Sequence, residues 1–171
     1  SAGFFAHFYD IPTGKAFTPV WANPLDDGAD LSETGFLMGG VLTCRQYFSR
    51  DEPAEREIRK IATRLYEDVE WDWMLQDRFG NRQKTLSWHW SPNHAWHISH
   101  PLVGWNETMI VYLLAIASPT HGVPASLYHT GWAGQSELVV RYRQGWGRTT
   151  HGDHYTNGNT YFGIKLDVGV G

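Results

Sequence analysis

Glu107, in the run Gly104-Trp105-Asn106-Glu107-Thr108, stands at the head of an apolar stretch and just after a loop dense in aromatic rings. Cleaving a glycosidic bond takes two carboxyl groups flanking that bond, one of them protonated so that it can donate to the leaving oxygen. Glu107 is placed as such a donor would be; an ordinary first-turn glutamate complementing a helix dipole would occupy the same position. A second acidic group, Asp26, Asp27, Asp30 and Glu33, leads into another apolar run. It reads equally as a solvated acidic loop ending in a helix cap. Glu33 stands out because the helix expected there has no polar face to carry a charge. His94, His97 and His100 recur at every third position, with His89 nearby. The HExxH arrangement of zinc enzymes is missing, and Pro92 and Pro101 mark loop backbone, so these histidines are expected to form hydrogen bonds in a cleft wall and no metal is assigned. The alternating pattern of a calcium-binding EF-hand loop is also absent.

The binding partner is suggested by the aromatic residues. Nine Trp, eight Tyr and eight Phe make up 15% of the chain. A pyranose lays its apolar C–H face on an indole and offers its hydroxyls to a few placed polar groups. Many of the tryptophans neighbour His, Asn, Asp or Glu in loops, which favours a cleft; a ring-filled core remains the other explanation.

The elements that must hold these residues follow from periodicity. A helix over 32–48 carries Phe36, Leu37, Met38, Val41, Leu42 and Cys44 with Gly39 and Gly40, apolar or small nearly all round, and is expected to be covered on every side. The two glycines are expected to permit close approach. A helix over 52–69 is amphipathic, with Asp51 as its cap, Pro53 in its first turn and Glu55 paired with Arg59. Its apolar stripe is Ile58, Ile61, Ala62, Leu65, Tyr66 and Val69. An aromatic loop over 71–104 contains a short strand at 86–90. A second all-apolar helix starts near Asn106 and ends at Ser118, before Pro119. Shorter elements are expected at 4–9 (strand), 124–133 (helical) and 161–166 (strand).

Composition narrows the classes further. The 171 residues fit one domain, and a formal charge of -4 gives no footprint for nucleic acid or an anionic membrane. The single cysteine, Cys44, excludes an intrachain disulfide and any CxxC chemistry. Dinucleotide, P-loop and serine-hydrolase motifs are absent, and no cofactor is implied. No signal peptide is legible, and a periplasmic, secreted or cytoplasmic setting would each suit the composition.

Several ordered stretches together resemble a known family. They are Glu33-Thr34-Gly35-Phe36-Leu37-Met38-Gly39-Gly40 with Arg45-Gln46-Tyr47-Phe48, Val69-Glu70-Trp71-Asp72-Trp73-Met74, Trp88-His89-Trp90-Ser91-Pro92-Asn93, Trp105-Asn106-Glu107, and Ser118-Pro119-Thr120-His121. The chain resembles the glucoamylase-like domain of glycoside hydrolase family 144, the bacterial endo-β-1,2-glucanases. The resemblance implies an all-α (α/α)6 barrel of which this chain supplies a part, with the remainder of the barrel coming from the same longer protein. It implies an inverting endo-acting hydrolase of β-1,2-glucan, with Glu107 in the pocket and Asp26, Asp30 and Glu33 in the acidic segment that contributes to it; Glu107 is then the candidate general acid, and Glu33 and Asp30 the further catalytic candidates. Asp26, Trp88, His89, Trp90, Asn93, Trp105 and Asn106 would bind the sugar. A non-catalytic glucan-binding module, or the glucan-processing domain of a cyclic β-1,2-glucan synthase, is the competing expectation.

Overall fold

Among the described residues, three α-helices and a set of two-residue strands form the frame. The computed structural model describes residues 2–77, 79–103 and 107–133, together with the backbone of 160–161 and 164–165. In order these residues form β1 (Tyr9–Asp10), β2 (Lys15–Ala16), β3 (Ala29–Asp30), α1 (Leu31–Tyr47), α2 (Pro53–Glu67), β4 (His89–Trp90), α3 (Met109–Ala117), β5 (Thr160–Tyr161) and β6 (Ile164–Lys165). Trp71–Met74 make a 3₁₀ turn and Tyr128–Trp132 a π turn. β1 pairs with β2, β3 with β4 and β5 with β6, all antiparallel. No helix of the described residues is long and apolar enough to cross a membrane.

α1 begins where Asp30 turns from extended backbone into the helix and its side chain accepts the Glu33 amide at 2.9 Å. This satisfies one of the orphan donors at a helix start. α2 starts at Pro53, whose missing N–H is of no consequence in a first turn. Its cap position is Glu52, with no side-chain bond, so the expected Asp51 cap is not formed; Asp51 instead receives Arg56 at 2.5 Å. Glu55 is buried and takes Arg50 rather than the expected Arg59, through Arg50 Nε and Nη2 at 2.6 Å and the Arg50 amide at 2.7 Å. Arg59 is drawn the other way, donating to the carbonyls of Phe48 at 2.5 Å and Arg50 at 3.0 Å and so closing the chain beyond α1.

α1 lies between α2 and α3. Met38, Leu31, Val111, Tyr112 and Trp71 are fully buried in the core, joined by Met74, Leu86 and Val69. Close approach of α1 to α3 occurs at Gly35, where a Cβ would stand 2.7 Å from Val111 Cγ2. The glycines expected to do this, Gly39 and Gly40, meet only Ile110 Cδ1 at 3.3 Å and open space. Tyr112 ties the aromatic loop to α3: its hydroxyl donates to the Leu102 carbonyl at 2.8 Å and accepts the Leu86 amide at 2.9 Å. Tyr66 on α2 donates to the Leu114 carbonyl at 2.7 Å.

The apolar helices are not covered all round by the described residues. Phe36 and Leu37 on α1, Ile61 on α2 and Met109 and Leu113 on α3 are all more than 40% exposed. Ile61 thus leaves the expected stripe. Between α1 and α2 runs an open groove of about 500 Å³ lined by Phe36, Leu37, Val41, Cys44, Ile58 and Leu65.

Much of the aromatic content is core. Trp71, Trp96 and Trp132 are buried, and Trp73 packs against both Trp90 and Trp96 with ring centroids 5.1 Å apart. The loop that carries these residues is therefore part of the interior, anchored by rings rather than by regular structure.

Candidate active site

Asp30 is placed by backbone pairing on both sides. Its amide donates to the Phe5 carbonyl at 2.8 Å, its strand neighbour across β4 is His89, and the Leu31 amide donates to the Trp88 carbonyl at 2.8 Å. Thr34 locks the same corner, accepting the Phe5 amide at 3.0 Å and donating to the Asp30 carbonyl at 2.6 Å. The first residues of the chain, the acidic loop and the Trp88–Trp90 segment are thereby brought together around one point, although they are far apart in sequence.

Four titratable side chains meet there. His7 Nδ1 stands 2.7 Å from Asp26 Oδ2 and 3.5 Å from Asp30 Oδ2, and its Nε2 is 3.8 Å from Glu33 Oε1. The ring is stacked on Phe8 at 4.0 Å. Asp26 and Asp30 are buried, whereas Glu33, at 43%, and His7, at 32%, reach solvent. Behind them, His89 is fully buried. The Gly28 amide donates to its Nε2 at 3.2 Å, and Asp26 Oδ1 lies 3.3 Å from the same nitrogen. A Cβ on Gly28 would fall 2.2 Å from the Trp90 carbonyl oxygen, so only glycine lets the acidic loop come this close to β4.

Burial pushes the Asp30 carboxyl up to about 7, against the opposing pull of the Glu33 amide and the His7 imidazole and with the help of the Asp26 and Glu33 charges. A carboxylic acid that keeps its proton near neutral pH is what acid catalysis needs. Burial likewise pushes the His89 imidazole down, outweighing the Asp26 and Asp27 charges. For Asp27, burial would raise the carboxyl, but hydrogen bonds from Ser91 and Asn93 and the charges of His94 and His89 hold it below the usual range. The Asn93 amide donates to Asp27 at 2.6 Å, joining the acidic loop to the segment after β4.

His7 was not among the residues expected from sequence. The one signal for it is a histidine set in the aromatic run Phe4-Phe5-Ala6-His7-Phe8-Tyr9, and nothing local links it to Asp26 or Asp30. The structure gathers Asp26, Asp30, Glu33, His89 and, at the rim, Asn93. Trp88 and Trp90 are half-buried beside them, Trp88 edge-on to His100 and Trp90 edge-on to Trp73. Glu107 is exposed and precedes α3, whose cap position is Thr108, so it is not in the first turn of that helix. Trp105 and Asn106 lie outside the described residues. His94 and His97 are exposed, and burial takes the His100 imidazole down to about 4. Among the described residues, the side chains whose ligand atoms converge within 4.8 Å are His7, Asp26 and Asp30. One imidazole and two carboxylates would suit a cation, but the direct 2.7 Å contact of His7 with Asp26 already closes that pair as a hydrogen bond.

Comparison with known proteins supports the resemblance. The family model described as "Putative glucoamylase" matches residues 99–165. The exo β-1,2-glucooligosaccharide sophorohydrolase (non-reducing end) of Parabacteroides distasonis is 49% identical over 98% of this chain, which spans 23% of that protein. The crystal structure of a β-1,2-glucanase from Parabacteroides distasonis superposes with a TM-score of 0.81 and 48% identity, covering 99% of this chain and 24% of that one. An endo-β-1,2-glucanase from Chitinophaga pinensis, crystallised with sophorotriose and glucose, does so with a TM-score of 0.73 and 34% identity over 98% of this chain and 34% of its own. The chain thus spans a quarter to a third of the length of these relatives.

Proposed function

We propose, from the kinship of this glucoamylase-like chain with β-1,2-glucan hydrolases, that it is part of an enzyme cleaving β-1,2-linked glucooligosaccharides. The observation that carries this reading is the convergence of the buried carboxyls of Asp26 and Asp30 on His7, beside the half-exposed Glu33. An inverting hydrolase divides its work between an acid that protonates the leaving oxygen and a base that activates water on the opposite face. Glu107 and Glu33, both open to solvent, are the candidates for those two roles, Glu107 as acid. Asp26 and Asp30 set the charge around Glu33. Trp88 and Trp90 are the half-buried rings beside the acidic group and Asn93 a polar group at its rim. His89, fully buried, backs Asp26 instead of meeting the sugar, and Trp105 and Asn106 join the sugar-binding set on the family resemblance alone. The (α/α)6 barrel of the family supplies the frame, and segments beyond the matched quarter of the relatives complete the pocket.

The test is Glu107→Gln in a protein of the relatives' length carrying this sequence. The change keeps shape and hydrogen bonding but removes the transferable proton. Turnover of linear β-1,2-glucan is expected to fall by about 10²–10⁴-fold with little change in glucan affinity. Near-normal hydrolysis by a folded variant would remove Glu107 from the mechanism. Products decide the mode of attack: sophorose alone marks an exo-acting enzyme and mixed oligosaccharides an endo-acting one. The names of the two kinds of relative support one mode each. Glucan bound but never cut by the wild type would favour the binding-module reading.

A further inference from the structure

We infer that His7 is a positioning residue of this site, an imidazole that holds Asp26, Asp30 and Glu33 in one arrangement and decides which of them keeps the proton. The inference rests on the hydrolase reading for its catalytic consequence, but not for its physical content.

Both ring nitrogens of His7 face carboxyl oxygens. Nδ1 serves Asp26 at 2.7 Å and stands 3.5 Å from Asp30, and Nε2 looks toward Glu33 at 3.8 Å. Three acids this close repel one another once ionised, and a shared imidazole between them is what relieves the repulsion. The ring cannot drift to satisfy one partner alone, because its face is stacked parallel on Phe8 at 4.0 Å. Phe8 is in turn set edge-on to Trp21 at 5.3 Å. The backbone on one side is pinned by the Phe5–Asp30 pairing. Asp30 Oδ2 and Asp26 Oδ1 are buried and form no hydrogen bond with the described residues, so the imidazole at 3.5 Å is the group placed to offset the Asp30 charge when the ring carries a proton. The other titratable groups turned to this point are Asp26 from the acidic loop, Glu33 from α1 and His89 from β4, which reaches it through Asp26. Of these, only the imidazoles can offset negative charge, and burial pushes the His89 imidazole down, away from its charged form. Removing His7 therefore leaves Asp30 among like charges and a low-dielectric wall, so its proton is held to higher pH.

The experiment is a ¹³C carboxyl titration of Asp30 in a protein of the relatives' length carrying this sequence, wild type against His7→Asn. Asparagine keeps a donor near the Nδ1 position but carries no charge and does not reach Glu33. The Asp30 midpoint is expected to move upward from its value of about 7 in the variant. An unmoved midpoint in a variant that melts like the wild type overturns the inference. Should His7→Asn fail to fold, His7→Gln, which keeps a donor on the Glu33 side instead, is read in the same way. The same variants are expected to lose about 10- to 100-fold in kcat, as misplaced catalytic groups do. The limb of the pH–rate profile that follows Asp30 should shift alkaline, while KM changes little. A titration that moves in a protein that never cleaves glucan would leave His7 as proposed and sink the hydrolase reading. Normal kcat with an unmoved titration would do the reverse.

Discussion

Asp30 is both the anchor of a helix and the most perturbed acid of the site, and the two duties pull in opposite directions. As cap it accepts the Glu33 amide, which favours the ionised form; as a fully buried group it favours the neutral one, and burial wins. A carboxyl whose folded value is raised lends stability that is complete below its ordinary value of 3.8 and is lost as pH climbs through about 7. Asp30→Asn keeps the capping oxygen and removes the charge. It is expected to melt like the wild type near pH 4 and several degrees higher at pH 8, while the longer enzyme carrying it loses turnover. Parallel melting curves across that pH range would show that Asp30 does not ionise as described. The sequence made Asp30 and Glu33 legible because an acid three residues before a second acid, at the head of an apolar run, is a helix start with few other uses. His7 was not legible, since its partner Asp26 is 19 residues away and no periodicity spans a loop.

At the scale of elements, the helices could be read from apolar spacing and their ends could not. α2 kept its 3.6-residue pattern except at Ile61, yet Glu55 was drawn to Arg50 and Arg56 to Asp51 by the geometry of the turn before it. α3 starts at Met109, where its apolar run begins, and not near Asn106 as expected, because Thr108 takes the cap position and Glu107 is left in the turn. The aromatic loop looked like cleft wall and is half core, since rings next to polar residues in sequence still turn toward Trp73 and Met74. Its register against the acidic loop hangs on Gly28, a residue that no helix or strand pattern would single out. Gly28→Ala must push the Trp90 carbonyl and Pro92 aside. An overpacked site of this kind is expected to cost about 1–3 kcal/mol, measured by urea denaturation, and to loosen Asp26 from His89. A variant as stable as the wild type would mean that the loop does not approach β4 as closely as described.

For the whole molecule, the telling feature is apolar surface. A chain spanning about a quarter of a relative's length shows Phe36, Leu37, Ile61, Met109 and Leu113 to solvent. Surfaces of this kind are uncommon in stable monomers. The 171 residues alone are expected to self-associate, seen as rising light scattering with concentration; a monodisperse, cooperatively melting monomer would count against this. That two helices are apolar all round was plain from composition. Which of their faces stay open was not, because that depends on what lies beside them in space.

The groove between α1 and α2 has one more property, supplied by a residue with no part in the chemistry. Cys44 is the chain's single cysteine, and it lies exposed in the groove lining. The molecule therefore carries its own occupancy gauge. A maleimide should label that thiol quickly while the groove is open and slowly once another helix fills it. Labelling rates in the short chain and in a protein of the relatives' length would then report, from one atom, whether another element has packed over α1 and α2.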